Sequence, residues 1–193
     1  MMVTQPTPSD AIWTIPNVLT FFRLAMLPVY LWFGLDTPPR LGWAVVLGML
    51  MLISDLADGA IARRTGAITK LGVRLDPLAD RLSFAAAIIV ILVHELAWPW
   101  LVWTVLARDA LLVIVGVIVL KLTHREIPPV SRIGKLASFA VTVGLGSMII
   151  AGAVGTPQDP NEPIQIAAYA ILIPAVVAYL ISAAGYVRVA VKR

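Results

Sequence analysis

The sequence predicts an all-α integral membrane protein, a bundle of six transmembrane helices preceded by a short N-terminal interfacial helix. Three observations predict it. The 193 residues are 60% hydrophobic and only 13% charged, whereas soluble domains carry about 25% charged residues. The mean hydropathy is +0.90. The apolar residues gather into six runs of about 17–24 residues, close to the roughly 20 that one bilayer-spanning helix needs. A soluble globular domain, a disordered chain and a secreted scaffold are excluded on these grounds. There are no cysteines, so disulfides, thiolate nucleophiles and Cys-ligated metals are excluded too.

The elements follow in order. Residues 1–16 open without a basic stretch before an apolar run, so no cleaved signal peptide is expected. Ser9 or Asp10 can cap a short segment carrying Ile12 and Trp13, which suits the membrane interface; the alternative is a disordered tail. Spans are expected at about 18–34, 41–62, 75–93, 98–120, 134–154 and 164–187. The first stops at Gly34-Leu-Asp-Thr-Pro-Pro and the fifth at Gly155-Thr-Pro-Gln-Asp-Pro, both turn compositions. Barrel strands are shorter and alternate, so they do not account for these runs. Residues 1–193 are expected to form one membrane domain, without repeats.

Basic residues set the expected orientation. Arg63, Arg64, Lys70 and Arg74 follow span two, Lys121, Arg125, Arg132 and Lys135 follow span four, and Arg188, Lys192 and Arg193 follow span six. The opposite connections hold Arg40 alone, against Asp36, Glu95, Asp159 and Glu162. Positive-inside bias then places both termini in the cytoplasm of a multi-pass cell-membrane protein. The net charge of +4 is explained by this bias and calls for no nucleic acid; the basic face would meet anionic headgroups.

The informative stretch is SDLADGAIARRTGAITKLGVRLDPLADR, residues 54–81. Asp55 and Asp58 are three apart, and Asp76 and Asp80 four apart, so each pair shares one helix face. One charged Asp near the bilayer centre costs roughly 2.5–3.5 kcal/mol, so four must face a polar cavity with compensating cations. Arg63, Arg64 and Arg74 could supply those cations in a purely structural salt-bridge network. The functional reading is a divalent-metal site. All-oxygen ligation suits Mg²⁺ or Mn²⁺, and two acidic pairs suit a two-ion clamp on a phosphoryl transfer. Gly59 and Ala62, each four residues after an Asp, clear the same face, either for helix packing or for a ligand. Arg63 can pair two oxygens of a diphosphate.

The same residues resemble the signature of the CDP-alcohol phosphotransferase family, Asp-x-x-Asp-Gly-x-x-Ala-Arg, eight residues, then Gly-x-x-x-Asp-x-x-x-Asp. Here Asp55, Asp58, Gly59, Ala62, Arg63, Gly72, Asp76 and Asp80 fill every fixed position. The opening IPNVLTFFRL of span one is similar to the glycerophospholipid branch, which includes phosphatidylglycerophosphate and cardiolipin synthases. The resemblance implies transfer of a phosphatidyl group from CDP-diacylglycerol to a glycerol-based acceptor with release of CMP. It implies that Asp55 and Asp76 bridge two ions, that Asp58 and Asp80 complete one each, and that Asp80 is the general base. Ile15, Pro16, Asn17, Val18, Gly59, Ala62, Arg63, Thr69 and Gly72 would form the CDP-alcohol site. A homodimer is implied as well.

For the acceptor, Arg108 inside span four is a functional candidate by default, the alternative being a local pair with Asp109. Arg132 and Lys135, at the start of span five, are the other candidates, and Arg125 a weaker one. Phosphatidylglycerophosphate synthases often carry a second Arg about two turns beyond the Arg of span four; Gly116 stands there in this sequence. Glycerol 3-phosphate and phosphatidylglycerol are the expected acceptors, with inositol phosphate the alternative. A small cation transporter and a silent membrane scaffold are the readings from other classes. Acidic residues at one membrane face, without repeated halves, weigh against transport.

Overall fold

A computed structural model describes residues 11, 14–65, 69–123 and 132–192; the side chains of 62–65, 116–123, 132 and 185–192 lie outside that description. The protein is all-helical: α1 (Ile15–Leu35), α2 (Leu41–Thr65), α3 (Lys70–Val93), α4 (Pro99–Thr123), α5 (Arg132–Val154) and α6 (Glu162–Lys192). Each expected span falls within one helix to within a residue. Among the described residues, α1, α2, α5 and α6 are long and apolar enough to cross a membrane. Helices α3 and α4 are outside these four; the first half of α3 carries Lys70, Arg74, Asp76, Asp80 and Arg81. The expected interfacial helix falls almost wholly outside the described residues.

The chain divides into two compact units between Val90 and Ile91. In the first, α1 starts where Thr14 accepts a hydrogen bond from the Asn17 amide, and Pro16 sits in the first turn, where its missing N–H costs nothing. The helix ends at Asp36, and Arg40 closes the turn by pairing with that carboxylate at 3.0 Å. Helix α2 then packs back along α1. Polar bonds from α1 to α3 join Thr20 to Asp76 and Arg23 to Asp80, at separations of 56 and 57 residues. A near-constant separation means the two helices run parallel, as they must with one helix between them. Trp32, Trp43, Leu50 and Ile53 face outward, an apolar surface suited to lipid rather than water.

The second unit packs α6 against α5 and α4. Its buried side chains include Leu101, Val105, Val141, Leu145, Met148 and Leu172. At Gly144 an added Cβ would lie 3.3 Å from the Leu172 backbone, so the missing side chain lets α5 and α6 approach closely. Asn161 caps α6 by accepting from the Ile164 amide. Tyr169 bonds the Trp98 amide, and Tyr179 bonds Asp109, separations of 71 and 70 residues; α4 and α6 are therefore parallel.

Candidate active site: a carboxylate cluster around Arg23

Asp55 and Asp58 lie near the end of α2, and Asp76 and Asp80 in the first half of α3. Helical spacing puts each pair on one face. What joins the pairs is Arg23 of α1. Its Nη2 lies 2.7 Å from Asp55 and 2.6 Å from Asp58, and its Nη1 lies 2.8 Å from Asp80. The Thr20 hydroxyl, one turn earlier, donates to Asp76 at 2.8 Å. All four signature carboxylates thus meet one face of α1. Arg23 is only 2% exposed, and the Asp55 and Asp80 side chains are 41% and 58% exposed. The guanidinium forms a buried floor with Asp58, and Asp55 and Asp80 open outward from it.

Of Arg63, Arg64 and Arg74, which could supply cations in a structural network, only the side chain of Arg74 is described. Among the described residues the cation at the cluster is Arg23, which was not among the residues expected at the site. The side chains of Arg63 and Arg64 lie outside the described residues, and Arg74 is exposed. A signal was present: Asn17, Thr20 and Arg23, spaced three apart, make a polar stripe on an otherwise apolar helix, and a charge in such a helix marks function by default.

A second polar group lies beside the cluster in the same unit. Thr69 precedes α3, and its hydroxyl accepts from the Gly72 amide at 2.9 Å while donating to Asn17 Oδ1 at 3.0 Å. Thr69 is therefore the N-cap of α3 and ties it to α1. A Cβ on Gly72 would come within 2.8 Å of Asn17 Oδ1, so this glycine is required by close approach. Of the residues expected at the nucleotide, Asn17, Thr69 and Gly72 are thus brought together. Pro16 is buried beside them, Gly59 is half-buried, and Ile15 and Val18 are exposed. The side chains of Ala62 and Arg63 are outside the described residues.

In the second unit, Arg108 lies 3.0 Å from Asp109, 3.4 Å from the Ser182 hydroxyl and 3.5 Å from the centre of the Tyr179 ring. The Tyr179 hydroxyl donates to the same Asp109 oxygen at 2.6 Å. The local Arg–Asp pair is therefore present, reinforced by stacking on an aromatic face. Lys135 is exposed at the start of α5. Arg132, by its side chain, and Arg125 altogether lie outside the described residues.

The donor set of the cluster is all carboxylate oxygen, which suits hard divalent cations. Four carboxylates against one guanidinium leave a formal charge of −3 among these five side chains, an imbalance that favours further cations. Among the described residues, no three acidic or histidine side chains are grouped so as to hold a metal ion; three of the carboxylates converge instead on Arg23. Asp55, Asp58, Asp76 and Asp80 are the residues whose chemistry fits such ions.

An all-helical chain with long apolar helices and an acidic cluster where three of them meet defines a class: helical proteins suited to a membrane, with a polar cluster between apolar helices. The comparisons narrow it. A family model described as CDP-alcohol phosphatidyltransferase matches residues 13–190, and the chain belongs to that family. It is a transferase acting on substituted phosphate groups. It is 37% identical over 153 residues to "Cardiolipin synthase (CMP-forming)" of Streptomyces coelicolor, covering 76% of this chain and 70% of that protein. It is 31% identical over 185 residues to "Probable phosphatidylglycerophosphate synthase" of Mycobacterium tuberculosis, covering 91% and 81%. It is 29% identical over 182 residues to "CDP-diacylglycerol--glycerol-3-phosphate 3-phosphatidyltransferase" of Escherichia coli, covering 92% and 95%.

Proposed function

We propose that the protein transfers the phosphatidyl group of CDP-diacylglycerol to a glycerol-based acceptor, glycerol 3-phosphate or phosphatidylglycerol, and releases CMP. The observation that carries this reading is the gathering of Asp55, Asp58, Asp76 and Asp80 onto one face of α1 in a chain of the CDP-alcohol phosphatidyltransferase family. The names of the similar proteins support the choice of donor and acceptor.

In this reading the four carboxylates would hold two Mg²⁺ or Mn²⁺ ions, and such ions would supply charge neutralisation at the diphosphate and at the departing CMP. Asp80 is the general base. Its side chain is the most exposed of the three carboxylates paired with Arg23, at 58%, which leaves it open to an acceptor. The acceptor oxygen bonds to the phosphatidyl phosphorus, its proton passes to Asp80, and the bond from that phosphorus to the CMP oxygen breaks. Asn17, Thr69 and Gly72 shape the nucleotide side, together with Gly59, Ala62 and Arg63. Arg108, Arg132 and Lys135 serve the acceptor side. Six spans, both termini and the carboxylate cluster on the cytoplasmic side, and a homodimer complete the proposal. A single domain spanning both units is supported by a family match that runs through both.

The test is CMP release by purified protein from CDP-diacylglycerol with Mg²⁺ or Mn²⁺, each acceptor supplied in turn. Release that depends on glycerol 3-phosphate or on phosphatidylglycerol supports the reading and names the acceptor. Release only with inositol phosphate, or none from folded protein, contradicts it.

A further inference from the structure

Arg23 lies where three of the four carboxylates of the acidic cluster converge. Its guanidinium binds one oxygen each of Asp55, Asp58 and Asp80. Among the described residues no three acidic or histidine side chains are arranged so as to hold a metal ion; three of the carboxylates turn to the guanidinium instead. A divalent ion needs several oxygens at once. Each of these carboxylates gives one oxygen to the guanidinium, so a divalent ion drawing on those oxygens competes with it for their charge.

The fit of Arg23 is also incomplete. Its Nε is buried and has no hydrogen-bond partner, although a buried donor normally finds one. The charge balance points the same way: among the described residues one guanidinium meets three carboxylates. Yet the cluster needs a cation whenever metal is absent, since like charges crowded in a low-dielectric setting repel strongly.

We infer that Arg23 is a resident counter-cation that holds Asp55, Asp58 and Asp80 together in the metal-free protein and is displaced from them when divalent ions bind. The inference rests on the divalent-ion reading given above. Arg23 is then a positioning residue: it lets the acidic faces of α2 and α3 assemble against α1 before metal arrives. Displacement makes arginine and metal competitors, so weakening the arginine's hold must tighten the metal.

The experiment is Mn²⁺ titration of the full chain in detergent, read by the EPR signal of free aqueous Mn²⁺, with thermal unfolding recorded alongside. Wild type is compared with Arg23→Gln and Arg23→Lys. Arg23→Gln should bind Mn²⁺ about tenfold more tightly or better, the weight of one charge-assisted hydrogen bond, and should unfold at lower temperature without metal. Arg23→Lys keeps the charge but loses the planar fork, and should fall between wild type and Arg23→Gln. Lysine binding Mn²⁺ as wild type does would make Arg23 a bystander charge and overturn the inference, as would weaker binding by Arg23→Gln. If Arg23→Gln fails to fold, the lysine variant decides. Folded wild-type protein that binds no Mn²⁺ would remove the divalent-ion reading itself, a result distinct from failure of the displacement.

Discussion

At the scale of single residues, the acidic cluster divides into groups with different expected behaviour. Asp80→Asn keeps the shape of the side chain and its contact with Arg23, but removes the base. CMP release should fall by about 10²–10⁴-fold, the usual contribution of a positioned general base, with little change in thermal unfolding. Asp55→Asn or Asp76→Asn should instead abolish metal-dependent nucleotide binding, checked by titrating a CDP-alcohol with and without Mn²⁺; unchanged binding would remove that residue from the site. The four carboxylates were legible in the sequence because helical spacing alone pairs them. Arg23 was not read, although Asn17 and Thr20 mark its face. Its partners Asp58 and Asp80 lie 35 and 57 residues away, and only the packing of α1 with α2 and α3 brings them, with Asp55, within reach.

At the scale of elements, the start of α3 is a built junction. Thr69 caps the helix and bonds Asn17, while Gly72 leaves room for the Asn17 side chain. Thr69→Ala should cost about 1 kcal/mol, seen as a fall of about 2–4 °C in thermal unfolding, and Thr69→Ser should restore it. Gly72→Ala should be at least as damaging, because its methyl group meets Asn17 Oδ1. The apolar cores of the helices were readable from hydropathy, and their ends were less so. The third run was expected from about Leu75, yet α3 starts at Lys70: its charged first turns look like a loop when only hydropathy is considered. Apolar packing of Arg108 was equally hidden. The neighbouring Asp109 is visible in the sequence, but Tyr179 and Ser182 come from a helix 70 or more residues on.

At the scale of the whole molecule, the lysine and arginine pattern makes a topological prediction. The chain has no cysteine, so single cysteines report cleanly. Thr37→Cys and Thr156→Cys, in the α1–α2 and α5–α6 connections, should react with a membrane-impermeant thiol reagent on intact cells. Arg193→Cys should react only after the membrane is opened. Labelling of Arg193→Cys from outside would reverse the proposed orientation and put the carboxylate cluster on the wrong side for a cytoplasmic nucleotide donor. The parallel runs of α1 with α3 and of α4 with α6 fit an alternating up-and-down path within each unit. Family membership and the broad fold were legible because the signature is local in sequence and hydropathy needs no tertiary contact. The arginine floor beneath the cluster needed the fold. The most direct test of the central claim, that this cluster performs phosphatidyl transfer, is CMP release from CDP-diacylglycerol by wild type and Asp80→Asn side by side, in preparations with the same unfolding temperature. The account predicts acceptor-dependent release by wild type and its loss in the variant; equal release by both would contradict it.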